Sequence, residues 1–487
     1  MNVGRITQLA RSRRIFVGLS CVLTLAPAIA YTQQPSTLPV EPPRDGRSQQ
    51  TISQLREAAA LLAAGRAAEA EPLLRQLLTV NPNNYDAHNL LGIVLDQAGR
   101  RTEAQREYES AIRLNPKGVS ALVNLGVLFA RTNRSEQAIQ SFKAVIQVAP
   151  DHPEATVNLG LEYSLRGDHV LAVPLLQRAI GLGRDTYQVR YRLGIALYSL
   201  RRLDEAVTAF ESAAALSPTV AEPSYYLGLI SSSRGKSEAA VTFWEQALAL
   251  RPNFPEANFM IGEELRKHRD YHRAEMFYER ALNQDSSKLV YYVRLGGVYL
   301  FLIRYEDALK IFRRAADRFP QVAEAHYFLG VAARGLASYD LALTEFRKTL
   351  SLQPDNVDAL AQLGFLTGER GDFAEAEKLL QRSIALSGEK HFFAHYDLGK
   401  LLIKQKRYDE AIVVLERAAD LKSANPDVHY QLFVGLSRLK RKAAADRELT
   451  LFRKLDTERK LREKAGDSEQ NDYVESSLPP PPVPQDK

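Results

Sequence analysis

Cysteine is almost absent from this chain: Cys21 is the only one among 487 residues. A single thiol cannot form an internal disulfide, so a disulfide-stapled scaffold is excluded. Cys21 also lies within the apolar run near the N-terminus, and an apolar stretch follows it, whereas a lipoprotein acceptor cysteine is preceded by one. If this segment is removed, the mature protein has no thiol, which fits an oxidising compartment.

Long apolar runs are equally scarce, and the clearest one extends from Ile15 to Ala30. A basic start precedes it, and small residues stand before Tyr31, which is typical of an export signal. The run is short for a membrane span and contains Pro27. We expect residues 1–30 to be a signal peptide and the protein to be periplasmic or envelope-associated. An uncleaved anchor, an organellar transit peptide and, from Ser12–Val17, the twin-arginine route stay open as alternatives.

Charge of one sign is not concentrated in the rest of the chain. The formal net charge is +6, and four arginines of the N-terminal segment (Arg5, Arg11, Arg13 and Arg14) account for most of it, leaving +2 for the remainder. No long stripe of lysine and arginine is present, so the sequence predicts no nucleic-acid partner. Membrane association would come only through an uncleaved signal or through a partner.

A repeat of 34 residues dominates the chain. Glycines recur at this spacing around Gly194, with one final step of 35, at Gly92, Gly126, Gly160, Gly228, Gly262, Gly296, Gly330, Gly364 and Gly399. An alanine follows each glycine by twelve residues, as in Ala206, Ala240 and Ala308, and a large apolar residue follows the alanine by four, as in Phe210. This spacing predicts a helix, a turn and a helix. The small residues allow the two backbones to approach, and the large residue fills the space between them.

This pattern of Leu-Gly, alanine, aromatic residue, alanine and proline resembles that of the tetratricopeptide repeat family. The resemblance covers about twelve repeats over residues 51–459. It implies an all-α fold, a right-handed superhelical solenoid of helix–turn–helix repeats with a concave groove lined by the first helix of each repeat. It also implies a binding surface without a reaction or a cofactor.

The segments outside the repeats have a different composition. Residues 31–50 are rich in proline and glutamine and predict a disordered tether. Residues 460–487 are charged and then proline-rich, which predicts a disordered tail. Within the repeats, the closing proline is replaced at every third unit by Arg184, Ser286 and Gly388. This longer period indicates four three-repeat blocks, beginning near residues 51, 153, 255 and 357, although chance similarity between related repeats is the alternative.

The predicted groove lining follows from the helical register, because residues two and three before the glycine, and one and four after it, should face the concave surface. In the middle repeats these positions hold aromatic rings and arginines, which suit an extended peptide or a sugar polymer. The candidate ligand residues are Tyr191, Arg192, Tyr225, Tyr226, Phe259, Arg266, Arg294, Tyr327, Phe328, Arg334 and, further on, Tyr396 with Lys400. The competing interpretation is that many of these rings pack between repeats.

Catalytic and metal-binding patterns were sought outside the repeat register. His391 and His395 are four residues apart, as are His268 and His272, but neither pair has an evident third ligand. No nucleophile elbow, phosphate-binding loop or carboxylate pair is evident. The sequence therefore predicts a non-catalytic scaffold that binds a protein or peptide. A polysaccharide-handling or export scaffold and a regulatory subunit of a separate enzyme are the alternatives.

Overall fold

The computed structural model describes residues 46–464. Every regular element in these residues is an α-helix, which confirms the all-α prediction. The predicted signal peptide, most of the tether and most of the tail lie outside the described residues. Helix α1 begins at Gly46 and helix α24 ends at Lys464, so the helical region extends a few residues beyond each predicted boundary of the solenoid.

The chain divides after Arg251 into two compact units. Their described parts, residues 46–251 and 252–464, are called the N-terminal and C-terminal units below. The N-terminal unit contains α1 Gly46–Ala63, α2 Ala67–Val80, α3 Tyr85–Gln97, α4 Arg101–Leu114, α5 Val119–Arg131, α6 Ser135–Val148, α7 Pro153–Arg166, α8 His169–Gly181, α9 Tyr187–Ser199, α10 Leu203–Leu216, α11 Glu222–Ser233 and α12 Ser237–Leu250. The C-terminal unit contains α13 Pro255–Lys267, α14 Tyr271–Gln284, α15 Leu289–Phe301, α16 Tyr305–Arg318, α17 Ala323–Gly335, α18 Tyr339–Leu352, α19 Val357–Glu369, α20 Phe373–Leu386, α21 Phe392–Lys404, α22 Tyr408–Leu421, α23 Pro426–Arg438 and α24 Lys442–Lys464.

The helices of each unit form hairpins in chain order. Each odd-numbered helix, called a first helix, packs against the even-numbered second helix that follows it, and second helices pack against the first helix of the next repeat. Several consecutive first helices also contact each other, including α19 with α21. The described residues therefore form the twelve hairpins of the predicted repeat solenoid. Helices α7, α13 and α19 begin at three of the predicted block boundaries.

The repeated register of glycine and a large side chain forms the contact within each hairpin. A Cβ atom built on Gly194 would lie 2.7 Å from Cε1 of Phe210, and one on Gly330 would lie 2.7 Å from Cε1 of Phe346. Ala206, Ala240 and Ala308 are fully buried. A side chain at these glycines would collide with a ring that has no room to move, because protein cores are close-packed.

Each described hairpin turns through one residue with a left-handed backbone conformation. These residues are Gly65, Gly99, Asn133, Gly167, Arg201, Gly235, Arg269, Ile303, Ala337, Gly371, Lys406 and Lys440. The left-handed region suits glycine and is strained for a β-branched residue. Ile303, with φ of 59°, is therefore the most strained residue of this set.

Candidate functional site

The aromatic side chains of the predicted groove are mostly buried. Eight of the twelve candidate ligand residues retain 6% exposure or less: Tyr191, Arg192, Tyr225, Tyr226, Phe259, Arg294, Tyr327 and Phe328. This corrects the expectation that they face an open concave surface. The helical register gives the direction of a side chain but not what covers it.

Contacts between repeats cover these rings. In the N-terminal unit, Tyr226 stacks on Phe210 of the preceding repeat, with ring centroids 4.9 Å apart. In the C-terminal unit, Phe328 stacks on Phe312 in the same way, at 5.3 Å. Tyr226 and Phe328 stand two residues before the repeat glycines Gly228 and Gly330. Each ring thus packs on the second helix of the preceding hairpin. These aromatic side chains belong to the core of the solenoid.

The buried arginine of α15 is neutralised within the C-terminal unit. Nε of Arg294 donates to Oε1 of Glu263 at 2.7 Å, and both side chains are 1% exposed. The hydroxyl of Tyr278 donates to the same oxygen at 2.5 Å, and Nε of Arg266 lies 3.7 Å from it. Burial, followed by the negative charge of Glu263, raises the pKa of the Tyr278 hydroxyl. Arg294 therefore neutralises a carboxylate of its own chain and is not displayed to a ligand.

Three of the remaining predicted residues, Arg334, Tyr396 and Lys400, are only partly buried and lie in the C-terminal unit. The guanidinium of Arg334 lies 5.8 Å from the ring centroid of Phe365. Nζ of Lys400 lies 5.4 Å from the same centroid and 5.5 Å from that of Tyr396. Two cations thus share the ring of Phe365, from first helices on both sides of it. Arg334, Phe365, Tyr396, Asp397 and Lys400 are called the Phe365 cluster below.

A small, open pocket adjoins the cluster. It is lined by Gly364, Phe365, Gly368, Glu369, Leu380, Asp397, Lys400, Leu401 and Lys404. At its rim, Nζ of Lys404 donates to Oε1 of Glu369 at 2.8 Å, and both side chains are exposed. The pocket combines an aromatic wall with cationic edges, and this combination suits a segment that has both apolar and acidic side chains.

Asp397 is the titratable group of this pocket. Burial raises the pKa of its carboxyl group to about 6, although the nearby positive charges of Lys400 and Arg334 act in the opposite direction. The backbone register places this carboxylate beside cations that it partly neutralises. Acidification through pH 6 therefore makes the pocket more positive.

The sequence rule could have identified the whole cluster. Phe365 and Lys400 each directly follow the repeat glycine, and Asp397 stands two residues before Gly399. These are positions that the register assigned to the groove. Phe365 and Asp397 are not among the predicted residues because the prediction rests on the repeats richest in aromatic residues and arginines, and in those repeats most of these side chains are buried.

Two histidines of the spaced pairs, His391 and His268, have the following surroundings in the described residues. His391 caps helix α21, where its Nδ1 accepts from the backbone N–H of Ala394 at 3.0 Å, and its Nε2 lies 3.1 Å from Asp358. His268 is 63% exposed at its side chain. Within residues 46–464 no group of three or more histidine, cysteine, aspartate or glutamate side chains is arranged to hold a metal ion.

Membrane-spanning potential is also lacking in this region. Among the helices of residues 46–464, none combines the length and the apolar character that crossing a bilayer requires.

Comparison with known proteins agrees with the repeat geometry. Two family profiles described as tetratricopeptide repeat match the chain, one at residues 61–125 and 369–432, and the other at 131–186, 157–221 and 294–357. The chain belongs to the tetratricopeptide repeat family.

Individual relatives are similar only in part. The chain is 24% identical over 188 residues to anaphase-promoting complex subunit 3 of Schizosaccharomyces pombe, covering 39% of this chain and 28% of that protein. It is 27% identical over 157 residues to the Hsp70-Hsp90 organizing protein of Triticum aestivum, covering 30% and 26%. The chain thus spans about a quarter of the length of these relatives. The solved structure of Pseudomonas aeruginosa pilF has 21% identity and a TM-score of 0.40, covering 45% of this chain and all of that one. Together with the repeats, the curated relatives support a protein-interaction scaffold.

Proposed function

We propose that this protein is a non-catalytic scaffold that holds an extended, acidic segment of a partner protein at the Phe365 cluster. The observation that carries this proposal is the sharing of one half-buried ring, Phe365, by the cations Arg334 and Lys400 beside an open pocket. Cations held over an aromatic face keep their charge available to a carboxylate while the ring offers apolar contact. A partner segment with alternating glutamate and leucine would offer carboxylates to the cations and apolar side chains to the ring.

The alternatives are less well supported by this geometry. A polysaccharide scaffold would need rings open for stacking on sugars, and most candidate rings are buried between helices. A regulatory subunit of a separate enzyme would use the same surface, and it would differ only in the identity of the partner.

Export completes the proposal and rests on residues 1–30 alone. We propose that the mature chain begins near Tyr31 and resides in the periplasm or cell envelope. N-terminal sequencing of the protein from fractionated cells should give Tyr31 as the first residue. Recovery of the chain with an intact N-terminus in the cytoplasmic fraction would contradict export.

Binding of a defined probe tests the ligand class. A fluorescein-labelled peptide of alternating glutamate and leucine should bind about tenfold or more tightly than the same peptide with glutamine in place of glutamate. Arg334→Gln with Lys400→Gln should abolish this preference, because each removes a charge-assisted contact. The matched control is Arg347→Gln with Lys378→Gln, which removes two exposed charges from the second helices α18 and α20. Equal affinity of the two probes, or unchanged binding by the first double variant, would overturn the proposal.

A further inference from the structure

Three histidines make the same pair of contacts in three different repeats. Nδ1 of His88 lies 2.6 Å from Oε2 of Glu107 on the second helix of its repeat. Nε2 of the same ring lies 2.9 Å from the backbone carbonyl oxygen of Pro82, in the loop before the first helix. The ring thus joins its own helix α3 to the preceding loop and to α4.

His326 and His429 reproduce this geometry in the C-terminal unit. Nδ1 of His326 lies 2.7 Å from Glu345, and its Nε2 lies 3.1 Å from the carbonyl oxygen of Pro320. Nδ1 of His429 lies 2.7 Å from Glu448, and its Nε2 lies 2.9 Å from the carbonyl oxygen of Ser423. In every case the carbonyl is six residues before the histidine and the glutamate nineteen after it.

The chemistry of the contacts assigns the protons. An ionised carboxylate and a backbone carbonyl can only accept hydrogen bonds, whereas a neutral imidazole ring carries a single N–H. Only the imidazolium form can donate to both acceptors at once. The three glutamate side chains retain between 15% and 26% exposure.

We propose that His88, His326 and His429 are pH-sensitive staples, each complete only when its ring carries both protons. When a ring loses one proton, one of its nitrogens can no longer donate, and either the glutamate or the backbone carbonyl loses its hydrogen bond. The start of the first helix that carries the histidine is then held less firmly. The effect goes beyond the proposed binding function, since it concerns the integrity of the second, ninth and twelfth repeats.

The charges around His88 agree with this assignment. Glu107 faces His88 from α4, and its hydrogen bond raises the pKa of the His88 imidazole, while Arg113 on the same helix opposes protonation. Glu345 faces His326 from α18, and Glu448 faces His429 from α24. Because the pKa of the His88 ring is raised in the folded state, its stabilising contribution is complete below the pKa of the unfolded chain. It is lost as the pH rises through the folded value.

Two other histidines, His152 and His391, use Nδ1 as a hydrogen-bond acceptor. Nδ1 of His152 accepts a hydrogen bond from the backbone N–H of Ala155 at 3.2 Å, as Nδ1 of His391 does from Ala394. These two caps need an unprotonated Nδ1, and burial, followed by the charge of Arg184, lowers the pKa of the His152 ring. The staples are therefore a distinct set and not a general property of histidines in this fold.

One staple lies on the helix that carries part of the candidate site. His326 and Arg334 are both on α17, so loosening of this helix at alkaline pH would also displace a cation of the Phe365 cluster. This consequence rests on the proposed function, whereas the staple itself does not.

Thermal unfolding at two pH values tests the staples without any ligand. Between pH 5.5 and pH 8.5 the wild type should lose more thermal stability than the triple variant His88→Gln, His326→Gln, His429→Gln, by about 2 °C or more in Tm. The control His268→Gln with His272→Gln changes two histidines outside the staples and should keep the wild-type difference.

A second variant covers the case in which the histidine variant does not fold. Glu107→Gln, Glu345→Gln and Glu448→Gln replace each carboxylate by an amide that can pair with a neutral ring, so the fold should persist with a smaller pH dependence. Hydrogen exchange, corrected for the intrinsic effect of pH, should show the loss of protection first in α3, α17 and α23. The staple proposal would be wrong if the thermal stability of the wild type and of the variants depended equally on pH. It would also be wrong if protection were lost equally in all repeats. Both outcomes are independent of peptide binding.

Discussion

Phe210 and Tyr226 stack face to face across a repeat boundary, with their ring planes inclined by only 10°. The contact joins the second helix α10 to the first helix α11 of the following repeat. It shows that a tyrosine at a position expected to meet a ligand instead completes the core. Stability, and not ligand affinity, should therefore be the first property lost when this ring is removed.

Tyr226→Ala should destabilise the N-terminal unit by about 3–5 kcal/mol, as the truncation of a buried aromatic side chain does. Chemical denaturation measured by circular dichroism gives this value, and the loss should be greatest in the neighbouring repeats. Tyr339→Ala is the control, because this side chain is 49% exposed. An unchanged unfolding midpoint for Tyr226→Ala would show that the ring is not part of the core.

Gly228→Ala should destabilise by about 1–3 kcal/mol through overpacking. A Cβ atom at this position would lie 2.6 Å from Cδ1 of Trp244, which is fully buried. Gly181→Ala is the matched control, because a Cβ there has no neighbour within 4 Å and the residue ends helix α8. Comparable stability of the two variants in urea would contradict the proposed role of Gly228.

Ile303→Gly should stabilise the C-terminal unit by about 1 kcal/mol, because it relieves a left-handed conformation that costs a β-branched residue about 1–2 kcal/mol. Little apolar contact is lost, since Ile303 is 58% exposed. Gly371→Ala should instead lower stability, because it places a side chain at the equivalent turn position, where φ is 91°. A lower denaturation midpoint for Ile303→Gly would show that the side chain contributes more than the strain costs.

Glu263→Ala should destabilise by about 3–5 kcal/mol, because it leaves the buried Arg294 without its carboxylate. Combining it with Arg294→Met should recover most of the loss, since an apolar side chain can fill the same space. The equilibrium unfolding of both variants measures this coupling. If the double variant is less stable than Glu263→Ala alone, the guanidinium has a role other than neutralising this carboxylate.

Asp397 should make binding of the acidic probe depend on pH. Its carboxyl has a pKa of about 6, so the pocket loses a negative charge as the pH falls from 7.5 to 5. The affinity for the glutamate–leucine peptide should increase over this range. Asp397→Asn should bind at pH 7.5 about as tightly as the wild type does at pH 5. An equal pH response of wild type and variant would exclude Asp397 as the titrating group.

The same carboxyl should affect stability in the opposite direction from an ion-paired aspartate, whose pKa is lowered in the folded state. Its pKa is raised from 3.8 in the folded protein, so the folded state is penalised when the group is ionised, and stability rises as the pH falls through 6. Asp397→Asn should therefore unfold at a higher denaturant concentration than the wild type at pH 7.5.

The repeat architecture was predictable from the sequence because its determinants are periodic. Gly194 and Ala206 mark a register in which only small residues fit, and the spacing carries that register along the chain. Burial of Tyr226 could not be read from the same spacing, since periodicity gives the direction of a ring on its helix and leaves open what covers it. The strain at Ile303 follows from the same register, because Gly235 and Gly371 stand at the equivalent position of other repeats, although no residue of that turn itself indicates it.

The candidate site was predictable in part. Arg334, Tyr396 and Lys400 follow from the groove rule, but the approach of the two cations Arg334 and Lys400 to Phe365 depends on how α17, α19 and α21 are placed. The raised pKa of the Asp397 carboxyl depends on burial, which the sequence does not provide. Residue types and register therefore indicated a binding surface, and tertiary packing selected which part of it stays open.

Hydrogen exchange with and without saturating glutamate–leucine peptide tests the central claim most directly. The proposed function predicts that protection on binding appears in α17, α19 and α21, around the Phe365 cluster, and disappears in the Arg334→Gln, Lys400→Gln variant. Protection confined to the N-terminal unit, or the same protection in that variant, would contradict it.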